Sequence, residues 1–156
     1  MILGTGIDII EVARIASSYE KFGERFLNRI LLPDEIAYCL SHRKPAPFLA
    51  ARFAAKEAIS KAFGTGIGAH LGWQDIEICR KESGEPYVVL HVKGKNLLDA
   101  RGGRLVHLSL SHTGKHAAAA SGPRIPKTGS FAAPSADSFI RTTRMLTAPA
   151  APNAAS

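Results

Sequence analysis

The stretch FLAARFAAKEAISKAF, residues 48–63, decides the fold class. It is rich in alanine, the best helix former, and contains neither glycine nor proline. It predicts a helix from about Pro47 to Phe63, with Gly64 as its C-cap. The alanines fall on several faces, so other elements are expected to pack on more than one side. Phe53, Glu57 and Lys61 are spaced i, i+4 and i+8 and share one face.

Working outward toward the N-terminus, Pro33-Asp34-Glu35 opens another helix. Proline loses nothing in a first turn, and the helix dipole favours the two carboxylates there. That helix stops near His42 and Arg43, ahead of Pro45 and Pro47. Residues 2–10, ILGTGIDII, read as a buried strand whose two glycines allow close backbone approach. From Glu11 the period changes, and Val12, Ile15, Ala16, Tyr19 and Phe22 mark an amphipathic helix with its apolar side toward the core. Gly23 ends it, and Glu24 to Ile30 forms a second helical piece.

Toward the C-terminus, Trp73 to Arg80 alternates and Tyr87 to Val92 is β-branched, with the turn residues Glu82-Ser83-Gly84-Glu85-Pro86 between them. This predicts a hairpin. A short helix over Gly94 to Arg101, a strand over Leu105 to Ser111 and the start of a last strand at His116 to Ala120 follow. Residues 123–156 hold five prolines among many Ala, Ser and Thr, and are expected to be a disordered extension of a single domain over 1–122.

Composition narrows the class. The chain has 156 residues, 46% hydrophobic and 21% charged, which suits one soluble globular domain. No basic-led apolar leader opens it and no apolar run is long enough to span a bilayer, so a cytoplasmic location is expected and no membrane partner. Cys39 and Cys79 lack CxxC spacing and read as buried thiols of a reducing compartment. The net charge is +7, which favours acidic partners: nucleic acid, polyphosphates or an acidic protein. No aromatic-interleaved basic patch or recognised nucleic-acid motif is present, which argues against nucleic acid.

Four segments carry candidate chemistry. Asp8 lies near the end of an apolar strand, where a carboxylate needs a cap role, a salt bridge or another positive partner. Glu57 and Lys61 are either an exposed pair worth ~0.3–0.5 kcal/mol or, on a packed helix, the lining of a site. Two carboxylates beside a lysine suit magnesium on a polyphosphate, since that ion takes one or two carboxylates and keeps several waters. Glycines 64, 66 and 68 follow a helix, so they match no phosphate-loop fingerprint. They form a turn that lets a ligand approach the backbone. His112 is open among general base, phosphate donor and structural histidine.

Six blocks taken together carry a resemblance. Gly4-Thr5-Gly6-Ile7-Asp8-Ile9, Arg52-Phe53-Ala54-Ala55-Lys56-Glu57-Ala58, Lys61-Ala62-Phe63-Gly64-Thr65-Gly66, Trp73-Gln74-Asp75-Ile76-Glu77-Ile78, Gly84-Glu85-Pro86 and Ser109-Leu110-Ser111-His112-Thr113 occur in order over about residues 1–120. In this the chain resembles the holo-acyl-carrier-protein synthases, the short bacterial-type 4′-phosphopantetheinyl transferases. The resemblance implies an α+β fold with a long helix on antiparallel strands. It implies transfer of the phosphopantetheine arm of coenzyme A, the co-substrate, to a serine of an acidic acyl carrier protein, with 3′,5′-ADP leaving, in fatty acid biosynthesis. It implies that Asp8 and Glu57 hold Mg2+ on the coenzyme A pyrophosphate, and that sites lie between subunits of a homotrimer.

On that basis Glu57, directly or through water, takes the serine proton, and Lys61 acts as a base or, better at its ordinary pKa of ~10.4, as a cation on the phosphates. Arg43 and Lys44, with Gly64 and His112, are the expected coenzyme A contacts, although two solvated charges at a helix end explain Arg43 and Lys44 equally well. Arg14 and Lys21 share the solvent face of the first helix and Arg25 continues the basic run. They are either a solvated face or a docking surface for an acidic carrier. One departure stands out: after His112 the family continues into a strongly apolar strand, whereas here Ala120 gives way to Ser121-Gly122-Pro123, so a short, weak strand is expected. The larger two-lobed transferases need about twice this length. A non-catalytic module binding coenzyme A or a carrier protein is the alternative that the intact Asp8, Glu57 and Lys61 argue against.

Overall fold

The computed structural model describes residues 1–125. Its elements are β1 (Gly6–Glu11), α1 (Val12–Phe22), α2 (Glu24–Ile30), α3 (Pro33–Leu40), α4 (Ala46–Ala62), β2 (Ile76–Arg80), β3 (Pro86–Leu90), α5 (Val92–Ala100), β4 (Leu105–His112) and β5 (His116–Arg124). The strands form an antiparallel sheet in the order β1-β5-β4 and a separate hairpin of β2 and β3. This is the expected α+β arrangement, with the alanine-rich helix α4 at its centre.

Burial explains why α4 reads as alanine. Ala50, Ala51, Ala54, Ala55 and Ala58 are all buried, together with Leu49 and Ile59. The helix packs on β1 and β5 and also meets α1, β2 and β4. Larger side chains would hold those elements apart. Two glycines bring β1 closest: a Cβ on Gly4 would strike the carbonyl oxygen of Ala62, and one on Gly6 the carbonyl oxygen of Ala58. The strand therefore lies directly against the last turns of α4, where Glu57 and Lys61 sit.

A buried ion pair ties the helices to the hairpin. Lys56 is fully buried, and its ammonium donates to Glu35 Oε2 (2.7 Å), the Ile30 carbonyl (2.8 Å) and the Trp73 carbonyl (3.0 Å). Three donors thus meet three acceptors. Burial pulls the Lys56 pKa below its ordinary value, and the Glu35 carboxylate opposes that shift. Glu35 in turn accepts from the backbone N–H of Leu32 and of Ile78. One carboxylate thereby caps α3 and anchors β2.

Five sequence expectations need correction. The last strand is not short: β5 runs from His116 to Arg124 and is the central strand of its sheet. Gly122 and Pro123 look like turn residues, but a Cβ on Gly122 would meet the Gly4 carbonyl, and Pro123 serves through its own carbonyl, which accepts from Leu3 N–H (2.9 Å). The first two residues of the expected 123–156 extension thus belong to a strand; 126–156 lie outside the described residues. The first strand begins at Gly6, leaving Ile2 in an isolated bridge to Arg124. Trp73–Asp75 is a 3-10 turn in which Asp75 bonds back to Gly72 N–H, so β2 starts only at Ile76. Phe22 is exposed, with the Lys21 ammonium 5.1 Å from its ring. Burial falls along α1 from Val12 and Ile15 through half-buried Tyr19 to Phe22.

Candidate active site

Pleating of β1 sorts its side chains. Ile7 and Ile9 face away from α4 and are 70% and 68% exposed, whereas Ile10 is buried and Asp8 turns inward. Asp8 meets Lys61, whose Nζ lies 2.6 Å from Asp8 Oδ1 and 3.3 Å from the Ile7 carbonyl oxygen. The Asp8 side chain is 14% exposed and the Lys61 side chain 50%. One helical turn before Lys61, Glu57 completes the cluster. Partial burial raises its pKa, the Asp8 charge raises it further, and Lys61 acts in the opposite direction.

Two carboxylates and one ammonium leave a net negative site. Its donor set is hard oxygen only, and no group of three or more His, Cys, Asp or Glu able to hold a metal occurs among the described residues. A zinc centre or an all-protein calcium cage is therefore not built here. Two carboxylates suit magnesium, which completes its shell with water and substrate phosphate.

A second cluster sits at the other end of α4. Arg43, Lys44 and His42 from the α3–α4 connection, Pro47 and Phe48 from the start of α4, and His112 with Thr113 at the end of β4 line an open cleft of about 500 Å³. No carboxylate lines it, and the first turn of α4 carries no acidic residue. Two fixed cations beside the positive end of a 17-residue helix favour an anion. The rings are braced: His42 stacks on Phe48 with centroids 3.6 Å apart, and His112 meets Phe48 edge-on at 5.1 Å. His42 Nδ1 lies 2.8 Å from the Tyr38 carbonyl, so it carries the hydrogen.

The structure thus brings together Asp8, Glu57 and Lys61 in one place and Arg43, Lys44 and His112 in another. Glu57 and Phe48 are nine residues apart on one helix, a separation of roughly 14 Å. Gly64 follows α4 with a positive φ of 67°, next to the carboxylate cluster and away from the basic cleft. Arg14, Lys21 and Arg25 are all exposed on α1 and α2. Sequence reasoning missed the Glu35–Lys56 pair and the His42–Phe48 stack. The first had a signal: a lysine at an all-round packed helix position requires a buried acceptor. The stack had none, since aromatic contacts across α3, α4 and β4 follow only from their packing.

Comparisons with known proteins show the family and the fold. The family model of the 4′-phosphopantetheinyl transferase superfamily matches residues 4–120. The holo-[acyl-carrier-protein] synthase of Koribacter versatilis is 52% identical over 119 residues, covering 76% of this chain and 95% of that protein. The crystal structure of the holo-[acyl-carrier-protein] synthase from Neisseria meningitidis superposes with a TM-score of 0.75 at 36% identity, covering 80% of this chain and 100% of that one. That of the Helicobacter pylori holo-[acyl-carrier-protein] synthase in complex with coenzyme A gives 0.69 at 34% identity, covering 77% and 99%.

Proposed function

The chain belongs to the 4′-phosphopantetheinyl transferase superfamily, and from that premise we propose that it is a magnesium-dependent holo-acyl-carrier-protein synthase. It transfers the 4′-phosphopantetheine group of coenzyme A to a serine of apo-acyl carrier protein, releasing 3′,5′-ADP, in fatty acid biosynthesis. The observation that carries the site assignment is the meeting of Asp8, Glu57 and Lys61 where β1 crosses the end of α4.

Bond by bond, the serine oxygen bonds to the β-phosphorus, the bond from that phosphorus to the bridging oxygen breaks, and the leaving phosphate departs with the electron pair. Catalysis of such a transfer rests on positioning and charge neutralisation. Asp8 and Glu57 would hold Mg2+, which when bound neutralises charge on the pyrophosphate. Glu57, directly or through metal-bound water, accepts the serine proton. Lys61 supplies positive charge to the phosphates. Arg43, Lys44 and His112 hold coenzyme A phosphate in the basic cleft, and Gly64 keeps the turn beside Lys61 open to the ligand.

The basic exposed side of α1, with Arg14 and Lys21, and Arg25 beyond it, receives the acidic carrier. A homotrimer is supported by the outer sheet face, where exposed Ile7 borders a trough of about 470 Å³ together with Ile2, Leu108 and Ala120, and Ile9 is exposed on the same face of the strand. An assembly through that face places sites between subunits. A cytoplasmic setting fits the free thiols Cys39 and Cys79. No helix among the described residues is long and apolar enough to cross a membrane. The deciding experiment is incubation with coenzyme A, Mg2+ and an apo carrier protein, followed by intact-mass measurement of the carrier. Gain of the phosphopantetheine mass is expected; an unmodified carrier would overturn the reading.

A further inference from the structure

Lys61 stands in an unusual relation to the carboxylates around it. Its ammonium lies 2.6 Å from Asp8 Oδ1 and 3.3 Å from the Ile7 carbonyl oxygen. Both are hard oxygen donors of the kind magnesium takes at about 2.0–2.1 Å. An ammonium and a divalent cation on the same carboxylate oxygen would repel each other across a few ångströms. One of them must give way.

The accessibilities say which. Asp8 is mostly enclosed, on a strand paired along its length with β5, whereas half of the Lys61 side chain is exposed on a flexible four-carbon stem. Lys61 can swing out; Asp8 stays. An ion pair of this exposure is weak, so displacing it lowers cation affinity by no more than about five-fold. Among the described residues Asp8 is the one carboxylate that Lys61 bridges.

We propose that Lys61 is an internal competitor for the cation at Asp8, so that loading the site displaces the ammonium from the carboxylate and frees it for the phosphates of the incoming substrate. The proposal rests on the assignment of Asp8 and Glu57 as cation ligands. It makes Lys61 available for phosphate only once the cation is in place, so cation and phosphate binding become mutually supportive.

Mn2+ binding to the full chain, without coenzyme A, tests it through the electron paramagnetic resonance signal of free Mn2+ at pH 8. Lys61→Met should bind Mn2+ about three- to five-fold more tightly than wild type, Lys61→Arg should stay near wild type, and Asp8→Asn should lose binding. A second measurement needs no variant: Mg2+ should speed acetylation of Lys61 by acetic anhydride, read by peptide mass spectrometry, as the amine leaves its carboxylate. Unchanged or weaker Mn2+ binding by Lys61→Met, with binding lost in Asp8→Asn, overturns the competition and leaves the ligand assignment standing. Wild-type binding by Asp8→Asn overturns both. Labelling of Lys61 that is indifferent to Mg2+ also overturns the competition.

Discussion

Asp8 comes from a strand and Glu57 from a helix far along the chain; only the close crossing of β1 over α4 gives them a shared charge problem. Replacing either by alanine removes half of the proposed cation-binding set. Asp8→Ala and Glu57→Ala should each lower transfer by at least about 100-fold, measured as carrier mass gain, with circular dichroism unchanged. Near-normal turnover of either variant would contradict the assignment. Glu57 also makes a pH-dependent prediction. Its folded pKa lies above the unfolded value, chiefly from burial and then from Asp8. The folded state therefore binds this proton more tightly, and stability from the group is present below the unfolded pKa and lost as pH rises through the folded one. In EDTA, Glu57→Gln should melt higher than wild type at pH 8 and equal to it near pH 4. The same shift means that cation binding fails on acidification at a higher pH than an ordinary glutamate would dictate. At this scale pattern and resemblance single out Asp8, Glu57 and Lys61, and the fold brings the three side chains together. Lys56 was less legible, because its partner Glu35 lies on another helix and also reads as a plain first-turn carboxylate.

Helices were read with nearly the observed limits, since α4 is set by alanine content and α3 by its opening proline. Strands were read less well. β5 was cut short because Ser121-Gly122-Pro123 has turn chemistry in isolation, and only the neighbouring Gly4 backbone shows why a glycine is needed there. The end of β5 makes a specific prediction. Pro123 accepts from Leu3 N–H, Arg124 from Arg104 N–H, and Ile125 and Met1 exchange hydrogen bonds through their main chains. Each backbone bond contributes about 1 kcal/mol net. A chain ending at Gly122 should therefore melt at least about 5 °C below one ending at Ile125. Equal melting temperatures would show that this edge of the sheet contributes nothing. α1 carries the prediction for the protein partner. Arg14 and Lys21 are seven residues apart and both exposed, and the helix follows directly from the strand bearing Asp8. Arg14→Glu combined with Lys21→Glu should raise KM for carrier protein several-fold and leave that for coenzyme A nearly unchanged. Added salt should bring wild type toward the variant, because the charges are exposed. An unchanged carrier KM at low salt would remove α1 as the docking surface.

For the whole molecule, the two faces of the β1-β5-β4 sheet pose different problems. One is covered by α4. The other carries exposed Ile7 and Ile9 beside the small side chains of Ala118 and Ala120, which stand opposite them in register. Isoleucines flanking a row of alanines make a shallow apolar trough that no element among the described residues covers. The basic cleft and the carboxylate cluster lie roughly 14 Å apart along α4, so a second copy seated on this face could bring the cleft of one subunit toward the carboxylates of another. A stable assembly of this kind needs about 1,000 Å² or more of buried surface with a well-packed apolar centre. Two charges at that centre would be desolvated without partners, at several kcal/mol each. On the proposal that the wild type is a trimer, Ile7→Glu with Ile9→Glu should therefore sediment as monomers at micromolar concentration. Both side chains already face solvent within one chain, so the fold and its circular dichroism should survive. Transfer activity should fall with the trimer, because neither cluster alone combines cation ligands with a basic cleft for the same coenzyme A. A monomeric variant that keeps full turnover would show that each chain holds a complete site, and would count against catalysis between subunits even if wild type proved trimeric.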